Sequence, residues 1–348
     1  MVKIRFQRKK SVLLSLGLLL ILSTVTSIVI QDNFFPETVV QENADPEKEK
    51  SELWPRNITG FNGITTIERK PRRIISASVG HDEMTVALVP LERLVAVTKI
   101  SKDPLYSNIA ELVKDIPSVD RDPENIIALN PDVIVTSPYF PADSISKLVD
   151  LNISVIQTNL ASNIDNQIDQ IALLGSIYGE EVRALQLSQQ IRARFDFIQS
   201  ISVDAEYTNK QRVLALSQYS DQIWTAGSNS TEGYIIEAAG GINSAAQSGL
   251  EGNVTTSFEG LISMAPDLII ITQPLKFGGA SFIEELKTKP ALKEIPAIKN
   301  NRIYPVETKL FTTLSFWNIR GIEELAKILW PDKLENQSFD GFDPFTTR

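Results

Sequence analysis

The amino-acid sequence predicts an α/β fold of two lobes, each with a central, mainly parallel β-sheet, joined by a single long helix. The first observation is an internal repeat, because residues 124–136 are ENIIALNPDVIVT and residues 259–271 are EGLISMAPDLIII. In both copies a glutamate precedes a Pro-Asp pair at the same spacing. The second observation is a series of apolar residues at helical intervals between the copies, in residues 164–201. Two similar α/β units with a helical segment between them account for both observations.

Each copy of the repeat predicts a short amphipathic helix followed by a buried strand. Pro131 and Pro266 end the helices, since proline lacks the amide hydrogen that a helix interior requires. The apolar runs that follow are rich in β-branched residues and too short for a helix, which is typical of strands covered on both faces in a parallel sheet. Upstream, residues 73–78 and 212–217 form a second pair of similar segments. The two lobes therefore share one plan.

Length and composition indicate an acidic protein that is large enough for two domains. The chain has 348 residues, 43% of them hydrophobic and 22% charged, with a formal net charge of −9. This charge disfavours a nucleic-acid partner, which would need clustered Lys and Arg. With no cysteine and one histidine, the chain cannot form disulfides, thiolate metal sites or a multi-histidine site. We expect no cofactor, no resident metal and a monomer.

The N-terminus predicts export across the cytoplasmic membrane. Basic residues are concentrated in residues 3–10, and residues 11–30 are uncharged and mostly apolar. Such a segment is either a signal peptide or a membrane anchor, and the basic flank keeps the N-terminus in the cytoplasm. Because no Ala-x-Ala cleavage site follows, we favour an uncleaved anchor slightly over a cleaved signal peptide within residues 1–30. The rest of the chain then lies outside the membrane, in the periplasm or at the cell surface.

The order of the remaining segments predicts the domain organisation. Residues 31–57 are polar, acidic and rich in proline, which indicates a flexible tether. Strands alternate with helices in residues 58–163 and again in residues 202–333, and this alternation requires right-handed crossovers and a parallel sheet in each lobe. Residues 164–201 form the connecting helices, and the second of these would run about 33 Å and limit relative motion of the lobes. We expect residues 334–348 to form a loose C-terminal tail.

These features resemble the helical-backbone (class III) periplasmic substrate-binding proteins of ABC importers, which include receptors for siderophores, haem and cobalamin. The resemblance covers about residues 64–332. It rests on the two repeats, on PRRIISAS at 71–78 with Asp82 and Glu83 after it, on WTAG at 224–227, and on IKNNRIY at 298–304. It implies two Rossmann-like lobes with a shallow cleft between them. The chain departs from the family where Val79-Gly80 follows Ser78, since a proline often follows that serine.

The resemblance also implies a function and partners. Such proteins capture a small-molecule metal chelate or corrinoid and deliver it to the permease and ATPase subunits of an importer. On family frequency we expect an iron(III) siderophore, with cobalamin or haem as the alternative. Glu124 and Glu259 match the positions at which these receptors pair with arginines of the permease. Each glutamate also follows a helix N-cap, where a carboxylate offsets the helix dipole, and both roles can hold at once.

The candidate ligand-binding residues follow from topology. Ligands of open α/β sheets bind beyond the carboxyl ends of the strands. Aromatic faces there suit a planar or apolar ligand, and basic groups suit anionic substituents. The candidates are Ser78, His81, Lys99, Arg121, Ser137, Tyr139, Tyr219, Trp224, Gln273, Lys276 and Phe311. For His81 we favour a solvated helix cap over ligand contact.

Two alternatives from other functional classes stay open. One is a membrane-tethered sensor domain that keeps the fold without an importer, and a neighbouring permease gene would argue against it. The other is a chelatase-like enzyme on the same architecture, which steady-state turnover of a tetrapyrrole with added metal would support. We do not expect an enzyme, because no cluster of His, Cys and acidic residues has catalytic spacing.

Overall fold

A computed structural model describes residues 54–203, 210–334, 336–339, 342 and 344–345. The predicted export segment, residues 11–30, and most of the predicted tether therefore lie outside the described residues. Within the described ranges, no helix combines the length and apolar character needed to cross a membrane.

The N-terminal lobe is built on a fully parallel sheet. A short antiparallel hairpin precedes it, formed by β1 (Arg56–Gly60) and β2 (Gly63–Ile67). The strands of the main sheet run in the spatial order β5-β4-β3-β6-β7 and every neighbouring pair is parallel. Its elements are β3 (Ile74–Ser76), α1 (Val79–Leu88), β4 (Leu94–Thr98), β5 (Ser118–Val119), α2 (Pro123–Ala128), β6 (Val133–Thr136), α3 (Ala142–Asp150) and β7 (Ser154–Gln157).

Two helices follow, α4 (Ile164–Tyr178) and α5 (Glu181–Val203). Gly179 separates them in the left-handed region, with φ of 68°, where glycine has no steric penalty. At 1.5 Å per residue, α5 is about 34 Å long.

The C-terminal lobe is built on a mixed sheet with a parallel centre. Its spatial order is β11-β9-β8-β12-β13, with β10 paired to β8. The pairs β8–β12 and β12–β13 are parallel, whereas β8–β9 and β9–β11 are antiparallel. The elements are β8 (Arg212–Tyr219), β9 (Gln222–Ala226), α6 (Thr231–Ala238), β10 (Ile242–Asn243), α7 (Ser244–Gln247), β11 (Asn253–Thr256), α8 (Phe258–Met264), β12 (Leu268–Ile271), α9 (Gly279–Thr288), α10 (Pro296–Lys299), β13 (Ile303–Pro305), α11 (Thr308–Phe311), α12 (Asn318–Leu329) and α13 (Pro331–Leu334).

The apolar runs of the repeat form strands that are buried on both faces, as predicted. All four residues of β6 and all four of β12 are buried. Neighbouring residues belong to different core clusters, since Val133 packs with one cluster and Ile134 with another. Leu268 and Ile269 divide in the same way. Layers on both faces of each sheet explain why these strands lack polar alternation.

The Pro-Asp pairs have the same structural role in both lobes. Asp132 accepts hydrogen bonds from the backbone N–H groups of Arg72 and Arg73, at 2.7 and 3.0 Å. Asp267 accepts from the N–H of Arg212 at 2.9 Å and from its guanidinium at 2.9 and 3.1 Å. In return, the backbone N–H of each aspartate donates to the carbonyl of Arg73 or Arg212, at 2.7 and 2.8 Å. Each pair thus fixes its own strand against the first strand of the lobe.

Helix α5 contacts both lobes. Near its start, Arg183 Nε donates to the carbonyl of Ala87 in α1, at 3.0 Å. Farther along α5, Arg194 forms a two-point ion pair with Glu323 of α12, at 2.6 and 3.0 Å. The predicted fold, two α/β lobes joined by a long helix, is therefore confirmed.

The C-terminal residues that the structure describes are packed, so the expectation of a loose tail is wrong for them. Phe339 is 7% exposed, and its carbonyl accepts a hydrogen bond from Arg194 at 2.7 Å. The ring of Phe342 lies edge-on to Trp317, with 5.5 Å between centroids, and Phe345 packs nearby. Isolated aromatic residues in a polar segment show no periodicity, yet each can bury a large apolar area.

Candidate functional site

Two cavities lie at the carboxyl edge of the C-terminal sheet. The first cavity has a volume of about 360 Å³ and receives residues from both lobes. The N-terminal lobe contributes Pro104 and Leu105, and the other walls are residues 274–276 and 306–309. The first cavity therefore belongs to the cleft between the lobes.

The second cavity has a volume of about 220 Å³ and lies at the C-terminal end of α11. Thr308 lines the first cavity and Thr312 lines the second, and the Thr312 hydroxyl donates to the Thr308 carbonyl at 2.8 Å. The side chains that give the second cavity its character are Tyr219, Trp224, Glu232, Asn253, Thr272 and Thr312. Two aromatic rings thus stand beside one carboxylate and several neutral polar groups.

Three of the predicted ligand-binding residues line these cavities. Tyr219, which is 45% exposed, and the half-buried Trp224 line the second cavity, and the exposed Lys276 lines the first. Burial raises the pKa of Tyr219, and the nearby hydroxyl of Tyr106 from the N-terminal lobe raises it further. This effect of Tyr106 indicates that Tyr219 faces the N-terminal lobe, although the walls of the second cavity all come from the C-terminal lobe.

The other predicted residues line neither cavity. Lys99, Arg121 and Tyr139 are exposed, and Tyr139 is 83% exposed. Ser137 is 8% exposed and Ser78 is half-buried. Gln273 is 3% exposed because its amide bonds the Gln218 N–H and the Phe277 carbonyl, and Phe311 is fully buried in the core. The structure therefore gives Gln273 and Phe311 no free surface for ligand contact.

His81 is a buried structural residue, so the expectation of a solvated cap is wrong. The side chain has no exposed surface. Its Nδ1 lies 2.7 Å from the Ser78 hydroxyl, and its Nε2 lies 2.7 Å from the Thr158 hydroxyl and 3.3 Å from Gln170 Nε2. Burial lowers its pKa to about 3, so the ring is neutral at pH 7. Contact with a ligand would require these bonds to break.

The two acidic residues that follow His81 fix the walls of the cleft. Asp82 has no exposed surface and accepts from Ser76, Ser101 and both donors of Thr98, at 2.5 to 2.8 Å. Burial raises its pKa to about 7, against the opposing effect of these donors. The carboxylate thereby ties the end of β3 to the end of β4.

Glu83 links the two lobes. One carboxylate oxygen accepts from Asn108 N and Nδ2, both at 2.8 Å. The other oxygen accepts from the hydroxyls of Thr313, at 2.6 Å, and Ser315, both in the C-terminal lobe. Gly80, one turn earlier, permits the same close approach, because a Cβ there would lie 2.6 Å from the Leu314 carbonyl oxygen.

The WTAG segment at 224–227 forms the end of β9 and the turn beside the second cavity. A Cβ at Gly227 would lie only 2.1 Å from the Leu250 carbonyl oxygen. The Gly227 N–H donates to the Gly252 carbonyl at 2.9 Å. Glycine is therefore required for two backbones to meet here, and their contact holds Trp224 and Asn253 on neighbouring strands.

Glu232 is a cavity residue that the sequence did not point to. It lies in the first turn of α6, two residues after the N-cap Ser230, where an acid is ordinarily explained by the helix dipole. The structure instead leaves Glu232 8% exposed, and the residue lines the second cavity. The sequence feature that could have pointed to Glu232 is its position shortly after the WTAG segment, which ends β9.

Glu124 and Glu259 occupy equivalent, exposed positions in the two lobes. Each lies in the first turn of a short helix, α2 or α8, that leads into a central strand. Because such a helix runs antiparallel to the strand it precedes, its N-terminus lies at the carboxyl edge of the sheet. The pKa of Glu259 is lowered, first by its own backbone N–H and then by Ser257. Neither carboxylate forms an ion pair within the described part of the chain.

The two lobes, the helical connector and the cleft between the lobes define a two-lobe binding protein of the helical-backbone class. The chain belongs to the periplasmic binding protein family, whose model matches residues 74–309. This match begins at β3 and ends in α11, so it includes both central sheets.

The curated relatives are similar over most of their length. An uncharacterised ABC transporter substrate-binding lipoprotein, YvrC of Bacillus subtilis, is 27% identical over 82% of this chain and 88% of its own. The ferric enterobactin-binding periplasmic protein FepB of Escherichia coli is 26% identical over 80% of this chain and 91% of its own. A cobalamin-binding protein of Halobacterium salinarum is 24% identical over 60% of this chain and 56% of its own.

Solved structures show the same fold. The periplasmic haem-binding protein HutB of Vibrio cholerae matches with a TM-score of 0.65 at 24% identity, over 74% of this chain and 99% of its own. The molybdate-binding protein MolA of Haemophilus influenzae matches with a TM-score of 0.68 at 20% identity, over 81% of this chain and 94% of its own. The ligands named for these proteins are chemically diverse, so the fold alone does not identify the ligand of this chain.

Proposed function

We propose that this protein is the extracytoplasmic substrate-binding component of an ABC importer, and that it captures a metal chelate in the cleft between its lobes. The observation that carries the proposal is the first cavity, whose walls come from both lobes of a chain that belongs to the periplasmic binding protein family. A ligand held there contacts both lobes at once. Binding without chemical change follows from the family, whose members are binding proteins.

An iron(III) siderophore is the ligand that we favour, with cobalamin or haem as the alternative. The relatives named above include a ferric enterobactin-binding protein, a cobalamin-binding protein and a haem-binding protein. The aromatic residues of the second cavity support a large ligand with flat or apolar surfaces, and Lys276 and Lys309 beside the first cavity support anionic substituents. We found no group of three or more His, Cys, Asp and Glu placed to hold a metal in the described residues.

We further propose that Glu124 and Glu259 dock the protein onto the permease. Their equivalent positions in the two lobes, their exposure and their lack of ion pairs leave both carboxylates accessible to a partner. One acidic residue on each lobe would form a two-point contact with paired permease subunits. Residues 11–30 would hold the protein at the outer surface of the cytoplasmic membrane.

Charge reversal tests the proposed function. The double variant Glu124→Lys/Glu259→Lys should bind the chelate like the wild type in calorimetric titration but should lose most uptake in cells that carry the cognate permease. The matched control is Glu68→Lys/Glu284→Lys, which makes the same charge change at two exposed positions. Uptake at the wild-type rate by the docking variant would contradict the docking assignment. Failure of the wild type to bind any siderophore, corrinoid or haem would contradict the ligand class.

A further inference from the structure

The Glu232 side chain is buried without a basic partner, and its one hydrogen bond comes from its own backbone N–H. It is 8% exposed and lines the second cavity. Within the residues that the structure describes, no Lys or Arg forms an ion pair with it, and no other residue donates a hydrogen bond to its side chain.

The other buried acids show how this protein ordinarily satisfies a carboxylate. Among the described residues, Asp82 and Glu83 each accept four hydrogen bonds, and Glu323 pairs with Arg194 and Arg320. Glu232 is the exception among them, because no other residue bonds its side chain and the residue lines a cavity.

The helix dipole does not remove this exception. The Ser230 hydroxyl accepts from Gly233 N at 3.1 Å, so α6 has its N-cap without Glu232. Burial raises the pKa of Glu232, which shows that the surroundings disfavour the ionised carboxylate when the cavity is considered alone. A group that supplies donors or positive charge from the cavity side would reverse this balance.

We propose that Glu232 binds an N–H donor group of the ligand, a protonated amine or a primary amide, and so determines which chelates the cleft accepts. The Tyr219 and Trp224 rings beside it supply the aromatic surface that commonly accompanies recognition of an amine. Asn253, Thr272 and Thr312 supply neutral hydrogen-bonding groups around the same cavity. A ligand with a carboxylate at this point is disfavoured, because two negative charges would share a poorly solvated site. This assignment rests on the proposed function, since it concerns the ligand of the same cleft.

Matched ligand pairs test the assignment and identify the donor. Ferrioxamine B carries a protonated amine, and its N-acetyl derivative lacks the charge. Cobalamin carries primary amides, and its monocarboxylic acids replace one amide by a carboxylate. In calorimetric titration of the full chain, we expect either the free amine or the intact primary amide to bind 10- to 100-fold more tightly than its paired derivative. This is the factor expected for a hydrogen bond to a charged group. The pair that shows the preference distinguishes an amine from an amide.

Two matched variants assign that preference to Glu232. In Glu232→Gln, the affinity ratio between the two members of the pair should fall to less than about threefold, because a neutral amide cannot form the charged hydrogen bond. Glu237→Gln changes an exposed residue of the same helix and should leave it intact. Because no other residue bonds the Glu232 side chain, Glu232→Gln should not lower the thermal midpoint, whereas loss of an acid that holds other residues in place would.

Three results would overturn the assignment. The first is a Glu232→Gln variant that keeps the full preference, and the second is a wild type that binds both members of each pair equally. In either case chelate binding itself would stand, and with it the proposed function. The third is failure of the wild type to bind any of the four probes, which would overturn this assignment; the proposed function would fall only if haem and other siderophores also failed to bind.

Discussion

The environment of His81 shows how burial alone can decide the protonation state of a residue. Hydroxyls of Ser78 and Thr158 lie 2.7 Å from its two ring nitrogens, and such hydroxyls can bond either a neutral or a charged ring. The desolvation cost is therefore the larger effect, and it lowers the pKa from 6.5 to about 3. A histidine of this kind organises the first loop of the cleft and does not titrate near neutral pH.

We predict that the imidazole of His81 does not titrate between pH 5 and pH 8. The chain has one histidine, so the ring proton signals in an NMR spectrum of the purified protein need no further assignment. Their chemical shifts should stay constant across this range, because the ring stays neutral. Titration with a midpoint near 6.5 would show a solvent-exposed ring and would contradict the buried position.

The same pKa fixes the sign of a pH effect on stability. The unfolded chain takes up a proton on His81 below about pH 6.5, whereas the folded chain does so only near pH 3. Stability from the neutral ring is therefore complete above pH 6.5 and is lost as the pH falls. In urea denaturation between pH 6 and pH 4, the wild type should lose about 1.4 kcal/mol more per pH unit than His81→Gln. Equal slopes for the two proteins would contradict this linkage.

At the scale of elements, the repeat predicts a difference between its two copies. The two backbone N–H groups donate to the same oxygen of Asp132, Oδ2. The side-chain oxygen of an asparagine can accept both of these bonds. Asp267 uses Oδ2 for Arg212 N and Nε, and Oδ1 for the other guanidinium nitrogen. Burial opposes ionisation of Asp267, but the bonds from Arg212 outweigh it and lower its pKa.

We therefore expect Asp132→Asn to cost little and Asp267→Asn to cost about 2 kcal/mol of unfolding free energy, because an amide cannot accept both guanidinium bonds. Urea denaturation at pH 7 measures both values, and Asp150→Asn, an exposed acid at the end of α3, is the control. The cost at Asp267 should disappear as the pH falls through its lowered pKa. Equal costs at the two positions would contradict this account of the repeat.

The sequence was sufficient to predict the strands whose apolar composition reflects burial on both faces. The runs that became β3, β6, β8 and β12 are apolar because both faces of these strands are covered. The antiparallel strands β9 and β11 were not specified, since their pairing depends on tertiary contacts such as that of Gly227 with Leu250. The domain boundaries stay predictions.

The candidate site was predicted less completely than the fold. Topology selected Tyr219 and Trp224, which line the second cavity, but it could not distinguish cavity residues from buried ones such as Gln273 and Phe311. Glu232 was missed because an acid after a serine N-cap already has a local explanation. The direction and burial of a side chain depend on its neighbours in space, and a single sequence does not contain them.

At the scale of the whole molecule, the lobes are held together by more than the connecting helix. The Thr313 and Ser315 hydroxyls bond Glu83 across the cleft, and Asn108 Nδ2 donates to the Lys309 carbonyl at 3.0 Å. Asn318 Nδ2 donates to the Ser162 carbonyl at 2.8 Å. Buried hydrogen bonds of this kind join two surfaces firmly, because opening the lobes would leave the Glu83 carboxylate without half its donors.

We predict that ligand binding changes the distance between the lobes by less than about 2 Å, as in other pre-organised complexes. The chain has no cysteine, so Glu68→Cys and Glu284→Cys allow one spin label on each lobe. Double electron–electron resonance should give one narrow distance distribution with and without chelate.

Glu83→Ala should broaden this distance distribution, because both hydroxyl donors of the C-terminal lobe lose their acceptor. Glu83→Gln should keep it narrow, since the Thr313 and Ser315 hydroxyls can rotate to accept from the amide while its oxygen still faces Asn108. A ligand-dependent shift of several ångströms in the wild type would show that the lobes close like a hinge, and the rigid connection inferred from α5 and Glu83 would then be wrong.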